Sequence, residues 1–155
     1  CDMDEFLYSE NIKNYLIDFH NSESTIVKPS GYDMIIENFI FDYDKKLTDL
    51  VKTGFKNNHF DKLVMFKPKK INSINYNYGC HVANPIGEVK YHNEPIKLLH
   101  YKRLGLDYFL NKMGIYKKRI SQFNKKNKLG FEYEFHKEEH KQKFLLELKD
   151  SNVII

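Results

Sequence analysis

Apolar residues follow two different spacings along this chain, and the order of those spacings limits the fold. Residues at helical spacing predict an amphipathic helix from about Ser9 to Asn21. A second helical spacing predicts a short helix over residues 47–55 that Gly54 closes. Short apolar or β-branched runs predict strands at residues 25–27, 33–36, 62–66 and 96–101. The chain is therefore predicted to be an α/β protein whose core extends to about Tyr101.

The last third of the chain is predicted to be mainly helical. Apolar residues recur at helical spacing over 106–113 and again over 144–148. Residues 131–135 alternate like a strand, although extended packing would give the same pattern. The domain prediction is accordingly a core over residues 1–101 and a helical tail over residues 102–155 that packs on it.

Composition and charge exclude several classes of protein. With 155 residues, 41% of them hydrophobic and 15% aromatic, the chain can bury a core and is not of the disordered type. Its 25 Lys and Arg against 21 Asp and Glu leave a net charge of +4, so we expect no nucleic-acid partner. Two cysteines are too few for a disulfide framework and predict a reducing, cytoplasmic compartment. No apolar run approaches the roughly 20 residues of a transmembrane helix.

Three carboxylates stand within the first five residues, at Asp2, Asp4 and Glu5. Residues two apart on a strand point to one face, so Asp2 and Asp4 at a strand end would present both carboxylates to one side. Paired oxygen ligands suit Mg²⁺ or Mn²⁺, which also bind substrate phosphates. A solvated acidic turn is the alternative interpretation of so short a pattern.

Two histidines stand where binding residues tend to occur. His100 ends a predicted apolar strand, where its neutral imidazole would be a good ligand for Mn²⁺. The alternative is a core histidine that is hydrogen-bonded to the backbone. His81 lies in a loop between Gly79 and Pro85, and its alternative is a loop residue without a role.

Taken together, these features resemble a family-2-like bacterial glycosyltransferase of the GT-A type. The resemblance is carried by five short motifs in order, at Asp2–Phe6, Pro29–Met34, Asp61–Phe66, Gly79–His81 and Leu98–Tyr108. It implies that the chain is the C-terminal half of a GT-A domain, which has a Rossmann-like mixed sheet, followed by the helical tail. It also implies that Asp2, Asp4 and Glu5 contact the donor, with His100 joining Asp2 and Asp4 as a metal ligand.

The function implied by the resemblance is metal-dependent sugar transfer. A nucleotide-diphosphate sugar would be the donor, a glycan or another hydroxyl compound the acceptor, and Mn²⁺ or Mg²⁺ the cofactor. Asp33 and His81 are the candidates for a general base at the acceptor hydroxyl. The nucleotide-binding half would precede Cys1, so activity of the chain by itself is in question. An unpaired sheet edge would also be open to self-association.

Two other functions remain open from the sequence. One is a non-catalytic remnant that binds a carbohydrate or a nucleotide. The other is a glycoside hydrolase, whose two carboxyl groups would flank the scissile bond about 5 to 9.5 Å apart without a metal.

Overall fold

The computed structural model describes residues 2–155 and confirms a mixed α/β fold. The α-helices of these residues are α1 (Ile12–Asn21), α2 (Leu47–Leu50), α3 (Leu106–Arg119), α4 (Gln122–Lys126) and α5 (Lys137–Lys149). The strands are β1 (Glu5–Tyr8), β2 (Ile26–Val27), β3 (Ser30–Ile36), β4 (Thr53–Lys56), β5 (Met65–Phe66), β6 (Ile71–Ser73), β7 (Ile86–Gly87), β8 (Lys97–Leu104) and β9 (Asn152–Val153). Within residues 2–155, no helix is both long and apolar enough to cross a membrane.

A five-stranded sheet has the strand order β1-β8-β3-β4-β9, and two small sheets pair β2 with β5 and β6 with β7. Strands β1 and β8 are antiparallel, with Glu5 opposite His100 and Tyr8 opposite Lys97. Directly opposed residues share one face of a sheet. This register therefore brings a carboxylate of the N-terminal motif beside a predicted metal ligand.

The chain divides into two compact units. Unit 1 comprises the residues up to Asp33 together with Lys56–His100, and unit 2 comprises Met34–Phe55 and Tyr101–Ile155. The predicted boundary at residue 101 stays a prediction, although residues 34–55 of the predicted core belong to unit 2.

Helix α1 supplies much of the core of unit 1. The helix begins at Ile12, and the side chain of Asn11 caps it by accepting a hydrogen bond from the Asn14 N–H at 3.0 Å. The buried face of the helix, Tyr15 and Phe19, packs with Val27. A second cluster of unit 1 contains Ile26, Leu63, Ile71 and Ile74.

The core of unit 2 is built mainly from two helices. Phe109 and Met113 of α3 pack against Phe144 of α5, with Ile35 buried in the same cluster. The guanidinium of Arg103 donates two hydrogen bonds to the Glu147 carboxylate, at 2.6 and 3.0 Å.

Several predicted elements differ in extent or type. The helix predicted over 47–55 ends at Leu50, because Thr53 and Gly54 instead pair with β9 as part of strand β4. Residues 131–134 form a 3₁₀ turn and not a strand. Only Met65 and Phe66 of the predicted strand 62–66 pair, with β2. At β4, pairing with a distant strand thus overrides the local pattern.

Candidate functional site

Asp2 and Asp4 precede strand β1, and Glu5 is its first residue. The two aspartates therefore lie at the start of a strand and not, as predicted, at the end of one. The Glu5 N–H donates to the Asp2 carbonyl oxygen at 3.1 Å, and the Asp2 N–H donates to the Glu5 carboxylate at 3.0 Å. The two aspartates have different partners. Asp2 Oδ2 lies 3.3 Å from Lys62 Nζ, whereas Asp4 Oδ2 lies 3.6 Å from His100 Nε2.

His100 lies between two carboxylates. Its Nδ1 is 2.6 Å from Asp33 Oδ1, and the other oxygen of Asp33 accepts a hydrogen bond from Asn57 Nδ2 at 2.6 Å. Asp33 and His100 are 1% and 7% exposed. A buried carboxylate at Nδ1 fixes that nitrogen as the donor, so Nε2 faces Asp4 and can hold either a proton or a cation.

The charge state of His100 reflects both of its acidic neighbours. Burial alone would lower the pKa of His100, but the hydrogen bonds and charges of Asp33 and Asp4 outweigh burial and raise it. A positive charge at this imidazole is therefore stabilised by the protein. The same environment would favour a bound cation beside Nε2.

Glu5 forms a buried ion pair with Lys62. The Glu5 carboxylate lies 2.5 Å from the ammonium, and their side chains are 0% and 3% exposed. Burial alone would lower the pKa of Lys62, but Glu5 and Asp2 outweigh it and raise the pKa. Glu5 therefore stabilises the Lys62 charge, and Lys62 in turn holds the exposed carboxylate of Asp2.

His81, the other predicted histidine of the site, lies near the ring of Phe60. Its Nδ1 is 2.8 Å from the His59 carbonyl oxygen, so Nδ1–H must be the donor and Nε2 keeps a lone pair. Burial lowers the pKa of His81, which favours the neutral base. Gly79 has φ 75°, and a Cβ there would lie 2.9 Å from the His81 ring. The glycine of the Gly79–His81 motif thus leaves room for the imidazole.

Phe60 contacts several of these residues and was not predicted from the sequence. Its ring centroid lies 4.1 Å from that of His100 and 5.6 Å from that of His81. Lys62 Nζ lies 5.2 Å from the same ring. The signal available in the sequence was an apolar residue beside the Asp61–Phe66 motif, which does not by itself indicate a site. Unit 1 thus holds all six predicted site residues, together with Phe60 and Lys62.

The side chains of Asp4 and His100 could supply part of the ligands of a metal site. Among residues 2–155, no group of three or more His, Cys, Asp or Glu is arranged to hold a metal. Asp4 and His100 supply one oxygen and one nitrogen 3.6 Å apart, and Asp33 orients the imidazole. Mg²⁺ commonly uses one or two carboxylates plus substrate phosphates and water. The Asp4–His100 pair therefore fits the protein's share of such a site, which a diphosphate would complete.

Comparison with known proteins gives no match. No protein-family model matches the sequence, and no curated protein or solved structure is significantly similar to the chain.

Proposed function

We propose that this chain belongs to a metal-dependent glycosyltransferase of the GT-A type. It would transfer a sugar from a nucleotide-diphosphate donor to a glycan or another hydroxyl acceptor. The observation that carries the proposal is the series Asp33–His100–Asp4, in which a buried carboxylate orients a histidine toward a second, partly exposed carboxylate. Metal-binding histidines commonly have this arrangement.

In this proposal Asp4 and His100 hold the cation, whereas Asp2 as a third metal ligand stays a prediction, because its carboxylate is bound to Lys62. A bound Mn²⁺ or Mg²⁺ would neutralise the charge that develops on the leaving diphosphate. Lys62 restrains Asp2 at 3.3 Å, and Glu5 compensates the buried ammonium. Lys62 and Glu5 therefore position the turn that carries both aspartates.

The two candidates for the base differ in access. His81 is partly exposed and keeps a lone pair on Nε2, which suits acceptance of a proton from an acceptor hydroxyl. Asp33 is 1% exposed and accepts hydrogen bonds from His100 and Asn57. Asp33 as a base stays a prediction, and its geometry favours a positioning role.

The hydrolase alternative has less support. Such an enzyme needs two carboxyl groups that flank the glycosidic bond, one of them protonated. Here Asp4 faces an imidazole, and Asp33 is buried beside the same imidazole. This placement suits a cation better than two carboxyl groups on either side of a sugar. A non-catalytic binding protein remains the second candidate, which turnover assays separate from the first.

The test measures Mn²⁺-dependent transfer or hydrolysis across a panel of nucleotide sugars. We expect Asp4→Ala to abolish turnover and to weaken Mn²⁺ binding in the presence of UDP. Asp44→Ala, which removes an exposed carboxylate of unit 2, is the matched control and should leave both unchanged. Turnover that survives both Asp4→Ala and metal chelation would overturn the proposal.

A further inference from the structure

Residues 108–131 of unit 2 carry a concentrated positive charge. These 24 residues contain seven Lys and Arg and no Asp or Glu. The remaining 131 residues contain 18 Lys and Arg against 21 Asp and Glu, which is a net charge of −3. The charge of +4 on the whole chain therefore conceals a local charge of +7, and a charge of that density attracts polyanionic partners.

More than half of these cations are not neutralised by the protein. Four of the seven are exposed and form no side-chain hydrogen bond or ion pair with residues 2–155, namely Lys118, Arg119, Lys126 and Lys128. In contrast, Lys125 Nζ lies 3.7 Å from a carboxylate oxygen of Glu134, and Lys117 donates to the Glu134 carbonyl oxygen at 2.8 Å. Four positive charges are therefore available to a partner.

Exposed apolar side chains lie among these cations on two successive helices. Ile115 of α3 is 39% exposed and lies three and four residues before Lys118 and Arg119, a spacing that places side chains on one helix face. Phe123 of α4 is 52% exposed and lies three residues before Lys126. Each helix thus presents a large apolar side chain beside unpaired positive charge.

An anionic lipid surface matches both features of the segment. Its headgroups attract Lys and Arg, while apolar side chains are buried at the boundary between headgroups and acyl chains. A nucleic acid would also attract the cations, but its phosphate backbone offers Ile115 no apolar environment. Six of the seven cations are Lys, whereas Arg is preferred where single phosphates are recognised by paired hydrogen bonds. The combination therefore favours a lipid bilayer over a nucleic acid.

We propose that unit 2 binds the surface of an anionic lipid bilayer through the end of α3 and through α4, with Phe123 inserted among the headgroups. The unpaired cations supply the attraction, and the exposed apolar side chains are buried on binding. All predicted site residues lie in unit 1, so this binding uses neither metal nor nucleotide sugar and does not depend on the proposed transfer reaction. Asp4→Ala should accordingly bind the lipid as the wild type does.

The first test is co-sedimentation of the full chain with lipid vesicles, without metal or nucleotide. We expect binding to vesicles of equal parts phosphatidylcholine and phosphatidylglycerol, none to vesicles of phosphatidylcholine alone, and weaker binding as the salt concentration rises. Lys118→Gln/Lys126→Gln should bind the anionic vesicles about 25-fold more weakly, which is about fivefold for each cation. Lys13→Gln/Lys69→Gln removes two exposed lysines of unit 1 and the same net charge, and should keep the wild-type affinity.

The second test measures insertion by fluorescence. The chain has no Trp, so Phe123→Trp introduces a single reporter. We expect its emission to move to shorter wavelength when the anionic vesicles are added, because the indole then lies at the membrane interface. Leu146→Trp, at a 63% exposed position of α5, is the matched control and should bind the vesicles without this shift.

Three results would overturn the proposal. One is equal affinity of wild type and Lys118→Gln/Lys126→Gln for the anionic vesicles. Another is vesicle binding that leaves the emission of Phe123→Trp unchanged. The third is no binding to either kind of vesicle; double-stranded DNA that then binds through Lys118 and Lys126 would identify a nucleic acid as the partner, and no binding of DNA would identify a solvated helix face.

Discussion

His100 and Asp33 form a buried pair in which Nδ1 lies 2.6 Å from the carboxylate oxygen. The second oxygen of Asp33 is occupied by Asn57, so the carboxylate is held from both sides. The pair fixes the direction of Nε2, which faces Asp4 at 3.6 Å. Orientation of the imidazole therefore depends on a residue that does not itself reach the surface.

Replacement of Asp33 tests this orientation. Asp33→Asn keeps the size of the side chain but removes the charge that stabilises the imidazolium and directs Nε2. We expect affinity for Mn²⁺ in the presence of UDP to fall by about 10- to 100-fold, as is typical for groups that orient a metal-binding histidine. Isothermal titration calorimetry measures this affinity for Mn²⁺. Asp44→Asn, on an exposed carboxylate, should keep the wild-type affinity. Equal affinities for Asp33→Asn and wild type would show that Asp33 has no part in metal binding.

The Glu5–Lys62 pair predicts a large effect on stability. Lys62→Met leaves the Glu5 carboxylate buried without its ammonium, and removal of one partner of a buried pair costs about 3–5 kcal/mol. Urea denaturation measures the free energy of unfolding. The double variant Glu5→Leu/Lys62→Met should recover much of this loss, because no buried charge remains.

A surface pair provides the control for that experiment. Lys70 and Glu88 lie 3.0 Å apart, with side chains 49% and 59% exposed. Lys70→Met should change the free energy of unfolding by only about 0–1 kcal/mol. A Lys62→Met effect as small as that of Lys70→Met would show that the buried pair does not stabilise unit 1.

His140 in unit 2 predicts a loss of stability in acid. It is 5% exposed, and its Nε2 has no hydrogen-bond partner among residues 2–155. Burial lowers its pKa from 6.5, and the charges of Lys102, Lys143 and Lys117 lower it further against the opposing effect of Glu139. As the pH falls, His140 therefore binds a proton at a higher pH in the unfolded chain than in the folded one. The stability that neutral His140 contributes is therefore fully present above pH 6.5 and is lost as the pH falls below that value.

His140→Phe removes this proton uptake and keeps a ring at the position. Between pH 7 and about pH 5, we expect the variant to lose less unfolding free energy than wild type. Leu146→Phe, at a 63% exposed position of the same helix, adds a ring without removing a histidine and should follow the wild-type curve. Parallel curves for His140→Phe and wild type would contradict the predicted linkage.

The sequence predicted elements whose apolar spacing is long or uninterrupted. The stripe in α1 and the apolar run that becomes β8 have a strong local signal. The helix predicted to Asn21 ends there, and the strand predicted over 96–101 begins at Lys97 but continues to Leu104. The strand at 53–56 was missed because its residues depend on pairing with β9, about 100 residues later in the chain. Helix α2 accordingly ends before Gly54.

The candidate site was likewise predicted only in part, because the sequence indicates its residues but not their contacts. Asp4, Asp33 and His100 were predicted as residues that bear chemistry, but their mutual contacts span 67 residues of sequence between His100 and Asp33. The turn at Asp2–Glu5 and the burial of Lys62 depend on each other through an ion pair. A pattern within one segment carries no information about such a pair. Phe60 was missed for the same reason, since its ring packs against that of His100 from a different part of the chain.

Gly31, which lies in strand β3, shows why the Pro29–Met34 motif needs a glycine. A Cβ at Gly31 would lie 2.5 Å from the backbone carbonyl carbon of Phe60, whose ring packs against that of His100. We expect Gly31→Ala to cost about 1–3 kcal/mol of unfolding free energy by overpacking and to shift the NMR resonances of His100. An added Cβ at Gly114 would meet no neighbouring atom within 4 Å, so Gly114→Ala should instead stabilise the protein by about 0.5–1 kcal/mol. Equal stabilities of the two variants would mean that Phe60 does not restrict Gly31.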